Sequence, residues 1–268
     1  MALLGACWGN QTGSKTGEDS LGIDSTQAIV LDSLTYHVHR NLLDGKEAPS
    51  YDITYALLAA QGNDEASRLF NEELVRGLFG KEGMTLDSAM HMHADSLATT
   101  YTADLKEMYD PATDYDFSFQ YACECQANVD KDSYPGVAAY TTDLFEYTGG
   151  AHGNRMVTAI NLNLSTGRAI RYADFFVKGK DAEVKGIIEQ SLMKQNGCAN
   201  LDQLVEKTSI GSLGEVYVRE GNFLLLKDSV EFIYNPYEVA PWACGLIRAR
   251  VAYTDLGACV NQDVLPKK

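Results

Sequence analysis

The sequence has no uninterrupted apolar run of about 18 residues, the length that a membrane-spanning helix needs. It is also poor in basic residues, because Lys and Arg together number 22 against 37 Asp and Glu, and the formal net charge is -15. Nucleic acids and anionic lipid head groups bind clustered cations, so this charge balance argues against both as partners. A negative surface would instead attract a cationic protein or peptide.

Cysteine is scarce, and its number is odd once Cys7 is set aside. The remaining cysteines are Cys123, Cys125, Cys198, Cys244 and Cys259. An odd number cannot be fully paired within one chain, so a dense disulfide scaffold is excluded. Two alternatives stay open: free thiols, or one or two disulfides among the last three of these cysteines.

Clustered metal ligands and catalytic motifs are also lacking. Cys123 and Cys125 share one face of a predicted strand, but no second cysteine pair at ligand spacing accompanies them. His37 and His39 form a similar pair with no third ligand nearby in the sequence. The chain has no P-loop, nucleophile elbow, zinc-protease or dinucleotide-binding motif. We therefore predict no metal, no cofactor and no catalytic residue.

The first residues resemble a lipoprotein cleavage site. Leu4-Gly5-Ala6-Cys7 has the small-residue spacing that precedes a lipid-modified cysteine, and residues 1–7 would be the remnant of the signal sequence. Residues 8–26 are rich in Gly, Ser, Thr, Asn, Asp and Gln, as in a flexible tether. This pattern predicts an extracytoplasmic lipoprotein, periplasmic or on the outer surface, which contacts the membrane only through a lipid on Cys7. The alternative is an accidental Ala-Cys pair.

The first half of the folded region is predicted as two strands followed by two helices. Residues 28–43 and 50–60 are rich in Ile, Val, Leu, Thr and Tyr and are separated by a turn-like segment. Apolar residues recur at helical spacing over 63–79. A second helix is predicted over 85–109, and Asp110-Pro111 ends it.

The second half is predicted to consist mostly of strands. These are residues 114–129, 135–147, 154–164, 168–172, 215–218, 222–226, 230–234 and 245–252, with one helix over 182–196. Strands and helices thus occur in blocks rather than in strict alternation. This arrangement predicts an α+β fold in which helices pack against an antiparallel sheet meander.

Several segments of the second half resemble the DUF3298 family. The first runs from residues 147–154 (YTGGAHGN) through 160–167 (INLNLSTG) to Asp174-Phe175-Phe176, and the second is the aromatic and proline segment 232–245 (FIYNPYEVAPWACG). Residues 116–262 are therefore assigned to a DUF3298-like domain. Residues 27–115 are similar to DUF4163 in layout and are assigned to a DUF4163-like region.

The resemblance implies a compact mixed fold that lies outside the cytoplasm. Proteins with these domains occur as lone lipoproteins, as the outer part of an anti-sigma factor that senses lysozyme, and as a module that precedes a polysaccharide deacetylase. Neither the transmembrane helix of the anti-sigma factor nor a deacetylase domain is found in this sequence. We therefore expect only location, fold and a tendency toward binding at the envelope to carry over.

Two segments carry the predicted ligand-binding residues. The glycine loop, residues 147–154, contributes Tyr147, Gly149, Gly150, His152 and Asn154, and the aromatic turn, residues 234–242, contributes Tyr234, Tyr237, Glu238 and Trp242. Glycines allow positive φ, while Tyr and Trp between prolines offer flat, rigid faces to a sugar or a protein. We expect both segments to lie beside one sheet. The alternative is that they only shape a hairpin and cover the sheet.

Glu238 is unusual because a carboxylate within an aromatic turn must be solvated, paired or hydrogen-bonded. We expect it to accept hydrogen bonds from the turn backbone or from the glycine loop. The leading hypothesis is a binding or sensing lipoprotein of the envelope, whose ligand is a cationic protein such as lysozyme or an envelope glycan. The alternatives are an envelope hydrolase of peptidoglycan or another glycan, with His152 and Glu238 as acid and base, and a purely structural component.

Overall fold

The computed structural model describes residues 29–41, 49–109, 120–211, 213–214 and 218–267. The predicted lipidation site Cys7 and the predicted tether over 8–26 lie outside the described residues, as does most of the predicted strand 215–218. In the ranges that are described, no helix has the length and apolar character needed to cross a membrane.

The larger sheet has five strands in the order β1-β2-β3-β4-β5. Their bounds are Val30–Asn41, Ser50–Gln61, Gln120–Val129, Val137–Tyr147 and Asn154–Asn163. The pairs β1-β2, β3-β4 and β4-β5 are antiparallel, whereas β2 and β3 run parallel. A parallel pair needs a crossover connection, which the two intervening helices supply. The sheet is therefore mixed, and the expectation of an antiparallel sheet holds for three of these four pairs.

Helices α1, Glu65–Phe79, and α2, Leu86–Met108, cover one face of this sheet. The side chain of Asp64 caps the start of α1 by accepting a hydrogen bond from the backbone of Ser67, and Gly80 ends it in the left-handed conformation. Alternate residues of the strands, such as Tyr140 and Leu162, point into this core beside Phe70 of α1.

The smaller sheet consists of β6, Phe223–Leu225, β7, Ser229–Tyr234, and β8, Ile247–Ala252, with both pairings antiparallel. One of its faces packs on the face of β4 and β5 that the first two helices leave free. Buried Ala139 and Val157 of the larger sheet contact a cluster that includes Leu224 and Ile233 of the smaller one. The two sheets thus form the middle layers of the molecule.

The other face of the smaller sheet is covered by α4, Asp181–Asn196, and α5, Leu201–Thr208. The short helices α3, Tyr172–Phe175, and α6, Tyr253–Leu256, lie at the border of this core. The layers therefore run helix, sheet, sheet, helix, and the predicted α+β class is confirmed.

Two local predictions differ from the structure. The predicted strand over 168–172 is reduced to a single bridge between Leu162 and Ala169, because the Asp174 side chain caps the backbone of Arg171 and starts α3. Helix α5 was not predicted. Leu201, Leu204 and Val205 do have helical spacing, but the helix has only eight residues and buries only Leu204, so its apolar pattern is short.

The five cysteines within the described residues are free thiols, so the alternative of disulfides among Cys198, Cys244 and Cys259 is wrong. Burial raises the pKa of the Cys123 thiol to about 11 and that of Cys125 to about 12. Both thiols therefore stay protonated near neutral pH, a state that neither attacks as a nucleophile nor binds a metal.

The histidine pair on β1 has a partner that the sequence did not indicate. Asp52 of β2 lies 2.9 Å from Nε2 of His37 and 2.7 Å from Nδ1 of His39. Burial alone would raise the pKa of Asp52, but these two hydrogen bonds hold it below its ordinary value. In the described part of the chain, no group of three or more His, Cys, Asp or Glu side chains meets the geometry of a metal site.

A further histidine, His93 of α2, makes the stability depend on pH. Its Nδ1 lies 2.5 Å from the Tyr55 hydroxyl, and burial lowers the pKa of His93 although Glu146 acts in the opposite direction. The unfolded chain therefore binds the proton first, and stability is lost as pH falls through the ordinary value of 6.5.

We expect the free energy of unfolding in urea to be lower at about pH 5.5 than at about pH 7.5. The variant His93→Gln, which still offers an acceptor to Tyr55, should lose part of this dependence. An identical pH dependence in the two proteins would contradict the assignment to His93.

Candidate functional site

A buried asparagine fastens the aromatic turn to the strand that follows the glycine loop. Asn235 comes directly after β7, and its side chain exchanges two hydrogen bonds with the backbone of Val157 in β5. The Val157 amide donates to Oδ1 at 2.7 Å, and Nδ2 donates to the Val157 carbonyl at 3.1 Å. Because β5 begins at Asn154, this anchor holds the two segments next to each other.

The glycine loop and the aromatic turn touch through two rings. The imidazole of His152 stacks on the indole of Trp242, with ring centroids 4.0 Å apart and planes 20° from parallel. Nδ1 of His152 lies 3.0 Å from the carbonyl oxygen of Gly153, which only accepts, so this nitrogen donates. Nε2 faces no partner in the described residues and is the ring nitrogen left to bond a ligand. The expectation that the two segments lie together is confirmed.

The glycines shape the loop as the sequence predicted. Gly149 and Gly150 have φ values of 92° and 86°, and the Tyr147 hydroxyl donates to the Gly150 carbonyl at 3.0 Å. Gly153 is required for a different reason, because an added Cβ would lie 2.5 Å from Cζ of Phe145 and 2.9 Å from the carbonyl oxygen of Glu146. The Phe145 ring therefore packs directly on the loop backbone beside His152.

The aromatic turn displays one tyrosine in an unfavourable backbone conformation. Tyr237 has a φ of 71°, a region that residues with a Cβ rarely occupy, and its side chain is 67% exposed. The turn is closed by hydrogen bonds from the Tyr237 amide to the Ala240 carbonyl and from the Glu238 amide to the Asn235 carbonyl, both 3.1 Å. Backbone strain of this kind is concentrated at functional sites.

Glu238 has partners for both carboxylate oxygens. Oε2 accepts a hydrogen bond of 2.8 Å from the backbone amide of Asn235, which confirms the expected bond to the turn backbone. Oε1 forms an ion pair with Arg219. The arginine was missed because it lies before β6, well upstream of the turn, and no sequence pattern links it to Glu238. This carboxylate therefore holds the turn in shape.

The prediction that Tyr234 binds a ligand is wrong. Tyr234 is the last residue of β7 and is fully buried in the core formed with α4. Its side chain follows the alternation of the strand and points to the same side as Phe232. Burial also raises the pKa of Tyr234. A ligand at the surface cannot reach this ring, whereas Asn154 and the other predicted residues remain at least partly exposed.

Two carboxylates beside the two segments, those of Asp143 and Glu238, are paired with arginines. Nε of Arg155 donates to Asp143 at 2.7 Å on the sheet face that carries Phe145. Glu238 is paired with Arg219 as described. The site is thus an exposed aromatic surface bordered by neutralised carboxylates, which we call the aromatic surface: Phe145, His152, Tyr237 and Trp242.

The family model DUF3298, described as a protein of unknown function, matches residues 173–254. This match confirms the predicted resemblance to DUF3298. The matched segment runs from α3 into α6 and includes the whole aromatic turn, while the glycine loop lies just before it. The resemblance of residues 27–115 to DUF4163 stays a prediction.

Two solved structures have a similar fold. A member of the DUF3298 family from Bacteroides fragilis superposes with a TM-score of 0.76 at 22% identity, over 89% of this chain and 96% of that one. A DUF3298 family protein from Pseudomonas aeruginosa gives a TM-score of 0.57 at 15% identity, over 90% and 98%. At these identities the likeness concerns the fold alone. No curated protein sequence matches the chain.

Proposed function

We propose that this chain is a non-catalytic binding protein of the cell envelope, and that the aromatic surface is its recognition site. The observation that carries the proposal is the stacking of His152 on Trp242 at 4.0 Å, which joins two distant segments into one exposed surface. Trp242 and Tyr237 are 37% and 67% exposed, although large aromatic side chains are usually mostly buried. Exposed rings held by a fixed backbone are typical of binding sites.

The chemistry of this surface favours a glycan as the ligand. Flat ring faces suit the apolar faces of sugar rings, and Nε2 of His152 together with the Tyr237 hydroxyl can hydrogen-bond to sugar hydroxyls. The carboxylates of Asp143 and Glu238 are paired with arginines, so they offer little free negative charge to a cationic partner. A cationic protein remains the competing ligand, because the whole chain carries a net charge of -15.

The arrangement supports binding rather than hydrolysis. Both oxygens of Glu238 are bonded to Arg219 and to the Asn235 amide, and His152 stacks on Trp242. A general acid and base must instead face the reacting bond of a substrate. The proposed location at the envelope, through a lipid on Cys7 and the tether over 8–26, rests on the sequence. Fatty-acid labelling that depends on Cys7 tests it.

Replacing Trp242 by alanine should weaken binding to purified peptidoglycan by roughly tenfold or more, since a central aromatic contact contributes about 2 kcal/mol or more. Co-sedimentation of the full chain with peptidoglycan measures this. Leu201→Ala is the matched control, because Leu201 on α5 is also 37% exposed and lies outside the aromatic surface. The control should bind as the parent does.

The same assay with a basic lysozyme-type protein distinguishes the two ligands. Capture of peptidoglycan that resists moderate salt and is lost in Trp242→Ala supports the glycan. Capture of the cationic protein that disappears with salt supports the competing ligand. If neither material is captured, the aromatic surface is not a binding site for either class and the proposal is wrong.

A further inference from the structure

Three of the four outer sheet edges are covered by other parts of the described chain. At the β5 edge, the Ala159 amide donates to the Gly221 carbonyl at 2.8 Å and the Ile170 amide donates to the Asn161 carbonyl at 2.7 Å. At the β6 edge, the Leu225 amide donates to the Asn161 side chain at 2.7 Å. At the β8 edge, the Ser191 hydroxyl of α4 donates to the Arg250 carbonyl at 2.7 Å.

The fourth edge belongs to β1 and differs from the others. Among the described residues, β1 is the first strand of its sheet and has no strand on its outer side. It pairs with β2 over 12 consecutive residues, from Val30 opposite Gln61 to Asn41 opposite Ser50, without a bulge. Its sequence, VLDSLTYHVHRN, contains no proline and no lysine. A bulge, a proline and a lysine are among the features that commonly protect an edge strand from pairing, and β1 has none of the three.

The structure also shows which backbone groups of β1 face outward. The Leu58 amide of β2 donates to the Tyr140 hydroxyl at 3.1 Å, on the side away from β1. Ser33 lies opposite Leu58, so its own amide points outward, where Oδ1 of Asp32 accepts it at 2.7 Å. By alternation, the odd-numbered residues from 31 to 41 present their N–H and C=O groups at the open edge.

A symmetric antiparallel pair of two β1 strands must place odd residues opposite odd residues. With the two-fold axis at Tyr36, Asp32 faces Arg40 of the second copy and Leu34 faces Val38 of the second copy. Opposite charges then lie at both ends of an apolar centre. A shift by two residues would instead place Arg40 opposite Val30 or Leu34 and lose both charge pairs.

The other face of this pairing is also compatible. Ser33 lies opposite His39 of the second copy, and Thr35 lies opposite His37 of the second copy, so no histidine faces another histidine. Asp52 already bonds to both imidazoles within each chain. Like charges that face each other directly would destabilise a strand pair. The register centred on Tyr36 places no like charges opposite each other.

We propose that β1 pairs with β1 of a second copy in this register, so that the two five-stranded sheets become one continuous sheet. The partner is argued from the self-complementary sequence of the strand and from its open, regular edge. The aromatic surface belongs to β4, β5 and the aromatic turn, so pairing through β1 leaves it free in both copies. The inference does not depend on the proposed function.

Sedimentation equilibrium of the full chain over a wide concentration range tests the pairing. We expect a dimer, and we expect Thr35→Pro to raise the dissociation constant by about tenfold or more, because it removes an outward N–H and places a ring at the interface. Thr35 is exposed, and proline is tolerated in edge strands, so the monomer fold should persist. Thr35→Val, which keeps the backbone donor, is the control.

The register is tested by exchanging the two charges. Asp32→Arg alone and Arg40→Asp alone should each weaken the dimer by roughly tenfold, and the double variant should restore it. Circular dichroism checks the fold of each variant. A monomer at every concentration, a dimer insensitive to Thr35→Pro, or slow hydrogen exchange of the outward β1 amides in a monomer would overturn the proposal. Failure of the double variant to restore the dimer would overturn the register.

Discussion

Replacing Gly167 by alanine should lower the free energy of unfolding by at least about 3 kcal/mol. Gly167 lies in the turn after β5 with a φ of 70°, and an added Cβ would overlap the Ala66 carbonyl oxygen and lie 2.8 Å from the Phe70 amide nitrogen. Both groups belong to the backbone of α1. Neither can move away without breaking hydrogen bonds of that helix, so the strain cannot be relieved by a side-chain rotation.

A matched control separates this overlap from the cost of the backbone conformation. Gly179 has a φ of 85°, and no atom lies within 4 Å of a Cβ built there. Gly179→Ala should therefore cost only about 1 to 2 kcal/mol, the penalty of a left-handed conformation. Urea unfolding followed by circular dichroism measures both variants. Equal losses of unfolding free energy in Gly167→Ala and Gly179→Ala would show that the Gly167 turn does not lie against α1 as described.

Replacing Asn235 by alanine is expected to cost about 2 to 4 kcal/mol and to separate the two segments of the aromatic surface. The change leaves the amide and the carbonyl of buried Val157 without their side-chain partners. The aromatic turn then loses its direct tie to β5, so the contact between His152 and Trp242 should weaken. Peptidoglycan binding should decrease as well, even at temperatures where the variant is folded.

Asn128→Ala is the appropriate control for this variant. Asn128 lies on β3, outside both segments of the site, and it is exposed, so its loss should change stability by less than about 0.5 kcal/mol. Thermal unfolding gives the stability, and tryptophan fluorescence reports the environment of Trp242. If Asn235→Ala keeps the fluorescence and the binding of the parent, the asparagine does not position the site.

The sequence predicted those elements whose causes are local. Helix α1 was predicted over 63–79 and lies at Glu65–Phe79. It was predictable because its N-cap and its apolar repeat are formed by residues close together in the sequence. The strands β4 and β5 were expected within a few residues of their bounds for the same reason. The parallel pairing of β2 with β3 was missed, since it depends on the path of the chain across two helices and not on any short pattern.

The part of the site that depends on local sequence was predicted, and the part that depends on contacts between distant residues was missed. The glycines and prolines indicate turns, and the resemblance to DUF3298 supplied both segments. The anchor at Asn235 was missed because its partner Val157 lies 78 residues away. Tyr234 was assigned to the surface although it ends the predicted strand 230–234. All six residues of β7 are buried, so its sequence has no polar alternation to show that this last side chain points into the core.

The closure of the β5 edge limits how this protein can assemble. With its far side capped by the segments around Ile170 and Gly221, the larger sheet, as far as the chain is described, has its open edge at β1. A pair formed there consumes the open edge of both copies and leaves no template for a third. In the proposed pair, association through this strand therefore ends at the dimer, because the described part of the larger sheet offers no second open edge.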